Sequence, residues 1–290
     1  MKFLITGAGG QLGKEWVYYL QQKNLQYVAS SSSDLDITNR TLVFETLEKV
    51  KPDVVVNCAA YTRVDDAEDQ IEAAFLVNRD GVTNMADACK KFQAKLIHYS
   101  TDYVFPGVPG DKSKFPDGYP ESADTKPINV YGQSKRAGEM ILEKSDFTDW
   151  LLIRVAWLCG PFGSNFVKTM LRLSEGRDEV GVVNDQFGSP SFSFDVVEKS
   201  MFLIRKNETG IFHISGKGLI SWADFAEAIF SKSGKKTAVK QITSKQFPQK
   251  AKRPHFSYLS TMKLQQKNAD ILEWNYGLET LLTRLKIDNT

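Results

Sequence analysis

Tyr131 and Lys135 stand four residues apart in the stretch 129–139, Asn-Val-Tyr-Gly-Gln-Ser-Lys-Arg-Ala-Gly-Glu. That spacing puts both side chains on one face of a helix. A phenol, with an ordinary pKa of about 10, is a poor acid near neutrality, and a neighbouring ammonium favours the phenolate and brings the group closer to useful proton transfer. Such pairs also arise by chance on exposed helices, so the pair gains meaning only from its company. That company is Thr6-Gly-Ala-Gly-Gly-Gln-Leu-Gly13, in which Gly7, Gly10 and Gly13 fall three apart. Glycines there let the backbone turn tightly, approach a pyrophosphate and pack helix on strand, while the helix amino end offers free N–H groups to the phosphates. Beside a glycine loop that reads as a nucleotide site, the Tyr131–Lys135 pair reads as functional.

These residues need elements to hold them. Apolar periodicity predicts a strand over 2–6 and a helix through Leu12, Trp16, Val17 and Leu20, so the glycines form a strand-to-helix turn. The alternation continues with strands over 26–30, 53–59, 95–100 and 150–156, separated by helical patterns over 41–50, 67–92 and 134–143. The unbroken apolar centre of 53–59 suits a sheet buried on both faces. Strands alternating with helices require right-handed crossovers, and the fold class expected is α/β, a doubly wound parallel Rossmann-type sheet. Residues 1–156 are the expected NAD(P)-binding domain. Residues 157–290 are expected to be a smaller, loop-rich substrate-binding region, with some segments returning to the first domain. Its helical patterns are 166–174, 222–230 and 278–285, and 210–215 reads as a strand. The longest irregular segment, 106–127, is of a length usually associated with a functional or mobile loop.

Composition bounds the partners. The 290 residues carry 37 Lys and Arg against 35 Asp and Glu, a net charge of +2, too balanced for a general nucleic-acid or polybasic membrane binder. No segment reaches the roughly 18 uninterrupted apolar residues of a membrane span, and residues 1–13 do not read as a signal peptide. Cys58, Cys89 and Cys159 match neither a disulfide framework nor a zinc site. A cytoplasmic, metal-independent protein is expected.

The chain resembles the short-chain dehydrogenase/reductase superfamily in its extended, nucleotide-sugar branch. The ordered set Gly10-Gln-Leu-Gly13, Leu35-Asp-Ile-Thr38, Ala59-Ala-Tyr-Thr62 with Val64-Asp65, Ser100-Thr-Asp-Tyr-Val-Phe105, Tyr131-Gly-Gln-Ser-Lys135, Arg154-Val-Ala-Trp157, Asn165-Phe166, Val183-Asn-Asp-Gln-Phe-Gly-Ser-Pro190 and Arg253-Pro254 narrows this to the dTDP-4-dehydrorhamnose reductases. The resemblance implies NADPH-dependent reduction of the C4 ketone of dTDP-4-dehydro-L-rhamnose, with NADH tolerated. It implies Tyr131 as proton donor, Thr101 as a second hydrogen-bond donor to the same oxygen, and Lys135 on the nicotinamide ribose, lowering the phenol pKa. It implies cofactor contacts from Gly7, Gly10, Gln11, Leu12, Gly13, Asp36, Ile37, Ala59, Ala60 and Tyr61. Substrate contacts are implied for Thr62, Val64, Asp65, Asp102, Tyr103, Trp157, Asn165, Asp185, Gln186 and Arg253, and a homodimer is a candidate assembly. Trp157 read alone is equally a core residue, and Asp185 with Gln186 equally a turn. Residues 228–269 hold ten basic and no acidic side chains; only Arg253, whose planar guanidinium suits phosphate, is singled out.

Some positions depart from the family pattern. Pro106 stands where an acid is usual and Ser191 where Thr is usual, and 107–118 is longer than usual, which puts Thr101 and Tyr131 30 residues apart. After the second strand, Ser30 to Ser33 offer hydroxyls that suit a 2′-phosphate, while Asp34 and Asp36 would suit a free ribose. Two rivals are weighed. A 4,6-dehydratase commonly needs a Glu where Tyr103 follows Thr-Asp, and epimerases generally carry Gly-Phe-Ile-Gly in the glycine loop. A non-catalytic cofactor-binding regulatory subunit has no need of an intact Tyr131, Lys135 and Thr101.

Overall fold

A computed structural model describes residues 1–287, so the last three residues of the expected 157–290 region lie outside it. The strands are β1 (Lys2–Thr6), β2 (Gln26–Ser30), β3 (Val54–Asn57), β4 (Lys95–Thr101), β5 (Trp150–Val155), β6 (Glu179–Val183), β7 (Phe187–Gly188), β8 (Gly210–His213), β9 (Ile220–Ser221) and β10 (Ala238–Ile242). The helices are α1 (Gln11–Gln22), α2 (Arg40–Val50), α3 (Ile71–Phe75), α4 (Gly81–Phe92), α5 (Asp111–Lys114), α6 (Val130–Lys144), α7 (Phe166–Leu173), α8 (Ser193–Arg205), α9 (Trp222–Lys232), α10 (Met262–Gln265) and α11 (Trp274–Ile287).

Among the described residues, six parallel strands form the main sheet in the order β2-β1-β3-β4-β5-β8. The chain runs outward from β1 to β2 and then crosses back to β3. The order therefore reverses between β1 and β3, where the loops after these strands part and leave a crevice. Side chains alternate along each strand. Phe3, Ile5, Val56, Ile97 and Ile153 face one core, which α1 and α8 cover with Trp16, Leu20, Val196 and Met201. Leu4, Val55, Leu96 and Leu152 face the other, with Val43, Leu47, Val82, Met85 and Leu142 from α2, α4 and α6. Toward the carboxyl ends this second face turns polar: Thr6, Asn57, His98, Arg154 and His213 continue the alternation after those apolar residues, and all are buried.

Several boundaries differ from the periodicity. The helical pattern over 67–92 is divided into a 3₁₀ turn, Asp66–Glu68, then α3, one π-helical turn at Leu76–Asp80, and α4. Helix α8 and strand β8 return from the second half to cover and extend the main sheet. A third core gathers Phe192, Phe225, Ile229, Leu278 and Leu281 beneath the small parallel pair β6–β10. The long segment after Pro106 is not loose. Tyr119 stacks on Phe105 with ring centroids 4.3 Å apart, hydrogen-bonds Asp111, and pairs through its backbone with Tyr258 and Ser260. Ser191 donates to the Ile214 carbonyl and accepts from the Ala156 amide, so the hydroxyl is held without the methyl of a threonine. No helix among the described residues is long and apolar enough to cross a membrane.

Candidate active site

Two cavities flank one tyrosine. The first is a groove of about 450 Å³ at the reversal point, lined by Gly7, Gly9, Gly10, Ser31, Ser32, Leu35, Asp36, Ile37, Ala59, Ala60, Tyr61, Thr62 and Arg63. Its floor requires glycine. Gly7 has φ +62°, and a Cβ there would lie 2.6 Å from the Ala59 nitrogen; a Cβ on Gly13 would lie 2.3 Å from the Gly7 carbonyl oxygen. Helix α1 begins at Gly10 with no side-chain cap and no acidic residue in its first turn. Its first N–H groups and the positive end of its dipole are thus left for an anion, so the groove fits a dinucleotide. Leu12 turns its side chain into the core and offers only backbone.

The second cavity, of about 570 Å³, is lined by Tyr103, Phe166, Met170, Trp222, Phe247, Gln186 and Arg253 among others. Aromatic walls with a few polar groups suit a ring system carrying polar substituents. Trp157 stacks on Trp222 at 3.6 Å and 13°, its own backbone at φ +49°. Gly188 lies beneath that indole, where a Cβ would come within 2.9 Å of it.

Tyr131 joins the two cavities. It packs with Tyr61 and Val77 on the groove side, and its ring meets Tyr103 of the aromatic cavity edge-on at 5.7 Å. The start of α6 is fixed from three directions. The Asn129 side chain accepts from the Gly132 amide at 2.7 Å and donates to the Lys252 carbonyl, and Glu68 accepts from the Val130 amide at 2.9 Å. Gly132 is what lets this turn approach the 3₁₀ turn after β4, since a Cβ would lie 2.3 Å from the Tyr103 carbonyl.

The Thr101 hydroxyl lies beside the Tyr131 phenol and draws its pKa down. Burial outweighs this and pushes the phenol up to about 12, with the Asp102 charge adding to the rise. Thr101 donates to Asp102 Oδ1 at 2.9 Å and accepts from the Tyr103 amide at 3.2 Å. Burial raises Asp102 itself to about 7, while Ser257 and Thr101 draw it down. Lys135 is buried one turn below Tyr131. It donates to the Tyr99 carbonyl at 2.6 Å and lies 3.4 Å from His98 Nε2. Burial lowers the ammonium to about 8. Lys135 is engaged with β4, and in the chain by itself burial dominates the tyrosine.

The other expected residues divide. Asp36, Ile37, Ala59, Ala60, Tyr61 and Thr62 line the groove, and Tyr103, Gln186 and Arg253 line the aromatic cavity. Arg253 Nη2 pairs with Asp65 Oδ2 at 2.7 Å, so these two expected substrate ligands hold each other. Asp185 accepts from the Ser244 amide and hydroxyl, and Gln186 donates to the same hydroxyl. Asn165 caps α7 next to Phe166 and donates to Gln11 and Gly160, which ties it to the glycine loop; it is not among the residues that line the aromatic cavity. Val64 lines neither cavity. The periodicity gave no warning of Asn78. In the π-helical turn it accepts from the Tyr61 amide and donates to the Tyr61 carbonyl and to Ser134, tying the groove wall to α6.

The family model for the RmlD substrate binding domain matches residues 1–287. The dTDP-4-dehydrorhamnose reductase of Aggregatibacter actinomycetemcomitans is 40% identical over 278 residues, covering 91% of this chain and 92% of that protein. The chain belongs to the dTDP-4-dehydrorhamnose reductase family. Within that family, the solved Clostridium acetobutylicum structure superposes with a TM-score of 0.93 at 38% identity, covering 99% of this chain and 100% of its own. The Bacillus anthracis reductase, solved in complex with NADP, gives 0.92 at 37% identity, covering 97% and 98%.

Proposed function

We propose that this chain reduces the C4 ketone of dTDP-4-dehydro-L-rhamnose to dTDP-L-rhamnose with NADPH, Tyr131 giving the proton. The observation that carries the reading is the neighbouring Thr101 and Tyr131 side chains between a dinucleotide-shaped groove and an aromatic cavity. Related reductases bear the same activity in their names. The bound nicotinamide supplies the hydride. The chain's own groups act on the oxygen: Thr101, turning its one hydroxyl proton from Asp102 to the substrate, fixes the carbonyl by a hydrogen bond, and Tyr131 donates the proton that turns the developing alkoxide into the alcohol. A phenol as weakly acidic as Tyr131 holds its proton until that charge appears, and the two donors bind the alkoxide more tightly than the ketone. Trp222, Tyr103 and Gln186 would hold the substrate, and the aromatic walls would exclude water.

The groove also bears on cofactor choice. Asp34 is occupied by the Ser31 amide and hydroxyl at 2.9 and 2.6 Å, and Asp36 by the Thr38 amide and hydroxyl. Ser32 and Arg63 line the same groove, next to Ser31, whose hydroxyl donates its proton to Asp34. A hydroxyl and a guanidinium suit a 2′-phosphate, which favours NADPH with NADH tolerated. The assay is oxidation of NADPH, and of NADH in parallel, on adding dTDP-4-dehydro-L-rhamnose. Ketone-dependent oxidation faster with NADPH is expected. Cofactor binding without ketone-dependent oxidation, under conditions where a known reductase turns over, would point instead to a regulatory subunit.

Gly13→Ala tests the groove. Its methyl would enter the space of the Gly7 carbonyl, so the loop or α1 must move. NADPH affinity, followed by nicotinamide fluorescence, is expected to weaken at least about tenfold, with about 1–3 kcal/mol of lost stability. Wild-type affinity in that variant would remove the loop from cofactor binding.

A further inference from the structure

Thr6, Asn57 and His98 are side-by-side partners across β1, β3 and β4, on the sheet face that α6 covers. One group along this row has no choice of role. The Ala59 backbone N–H can only donate, and it donates to Asn57 Oδ1 at 3.2 Å, where the Thr6 hydroxyl also donates at 2.7 Å. The Asn57 amide nitrogen therefore faces His98 Nδ1, 3.2 Å away, and donates to it. His98 is buried, and burial with the nearby Lys135 holds its pKa well below the usual imidazole range, so the ring is neutral. A neutral imidazole that accepts at Nδ1 carries its proton on Nε2. That N–H lies toward Lys135 Nζ, 3.4 Å away.

We propose that His98 is a positioning residue for Lys135, presenting an N–H donor to the lysine nitrogen and so weakening that nitrogen's hold on its third proton. An ammonium has only donors and cannot receive this N–H; the free amine has a lone pair that can. The groups around the lysine act in both directions. Glu139 on α6 favours the ammonium, Cys58 after β3 is a thiol whose pKa burial pushes up and which stays neutral beside it, and Tyr131 stands one turn earlier on α6. From β4 come the Tyr99 carbonyl, which accepts from the lysine, and His98, which opposes its charge. Burial acts in the same sense as His98.

The consequence rests on the reductase reading. Lys135 can assist the bound ribose and the Tyr131 phenol as a cation only below about pH 8, where it is protonated. Charge is present below that value and lost above it, so kcat/KM is expected to fall through an alkaline limb near 8 that belongs to the lysine and not to the tyrosine.

The test uses the full chain. Nitrogen-15 NMR of the histidines in wild-type protein is expected to show His98 protonated at Nε2, with the signal assigned by through-bond correlation to the His98 backbone. The asparagine oxygen replaces Nδ1 as acceptor for Asn57 and removes the donor that faces the lysine. Carbon-13 NMR at the lysine ε carbons, without cofactor, is then expected to place the Lys135 midpoint about one pH unit higher in His98→Asn, a tenfold tighter hold on the proton. The alkaline limb of kcat/KM is expected to move the same way. An Nδ1-protonated His98 in the wild type overturns the proposal even where the variant fails to fold. So does an unmoved lysine midpoint in a folded variant. Failure of the reductase reading would show separately, as wild-type protein with no ketone-dependent oxidation and a normal Lys135 titration.

Discussion

Tyr131→Phe is expected to lower turnover by about 10² to 10⁴ while leaving NADPH affinity nearly unchanged. The substitution removes one oxygen and keeps the ring, so the edge-on contact with Tyr103 and the packing against Tyr61 remain. The Asn129 cap and the Glu68 contact do not involve the phenol, and α6 should begin where it does now. What is lost is the proton donor and the partner of Thr101. Thr101 still polarises the carbonyl, which sets the lower bound of the loss, but the proton must then come from solvent. Single-turnover hydride transfer and a nicotinamide fluorescence titration separate the two effects. Turnover within a factor of two of wild type would move the acid elsewhere, with Asp102, raised by burial to about 7, as the next group to substitute.

The same pair shows where sequence reading succeeds and where it stops. Tyr131 and Lys135 were legible because a helix converts a spacing of four into a shared face, and the glycine loop because its constraint is local to a turn. Gly7 and Gly13 are required by backbone atoms within a few residues or one strand away. His98 was not legible, since its meaning comes from Asn57 on another strand and a backbone amide beyond that. A signal exists in retrospect. Each strand of this face passes from Leu or Val to a polar residue two positions on, as in Leu4 to Thr6, Val55 to Asn57, Leu96 to His98 and Leu152 to Arg154. Recognising that these polar positions fall in neighbouring rows requires the register, which one strand alone does not contain.

Helix α8 shows a different limit. It starts after Phe192 with no side-chain cap and directly follows a run rich in Gly, Ser and Pro, so the start signal on which a sequence reading depends is missing. Its amphipathic face is explained by the main sheet and by α1, from the other end of the chain. Ser193 donates to Glu15 at 2.8 Å, and Val197 and Met201 share the core of Trp16. Of the paired residues, Asp65 was read as a substrate ligand from the resemblance, and Arg253 also because its guanidinium suits phosphate. In the fold they neutralise one another at the edge of the aromatic cavity. Residue type names the available chemistry, but only the fold says which groups are already committed.

Arg154→Met is expected to cost about 3–5 kcal/mol of stability, because it leaves a buried carboxylate without its main partner. Arg154 and Glu139 are both fully buried and meet through two hydrogen bonds of 2.9 and 2.8 Å, one to each carboxylate oxygen. The guanidinium also lies 5.1 Å from the centre of the Phe105 ring and donates to the Glu121 carbonyl at 3.3 Å. Methionine replaces much of the aliphatic stem but none of the donors. Arg136 Nη1, 3.4 Å from Glu139 Oε2, is the remaining cation within reach and compensates only in part. The pair joins β5 to α6 one turn beyond Lys135, so the loss should also loosen the helix that carries Tyr131, and turnover should fall with stability. The double variant Arg154→Met, Glu139→Leu removes both charges and is expected to recover most of the loss, since the penalty comes mainly from the stranded carboxylate. Urea denaturation of the two variants decides it. A single variant that loses less than about 1 kcal/mol, the range of exposed ion pairs, would mean that water reaches Glu139 and that the centre beneath the active site is wetter than its packing implies.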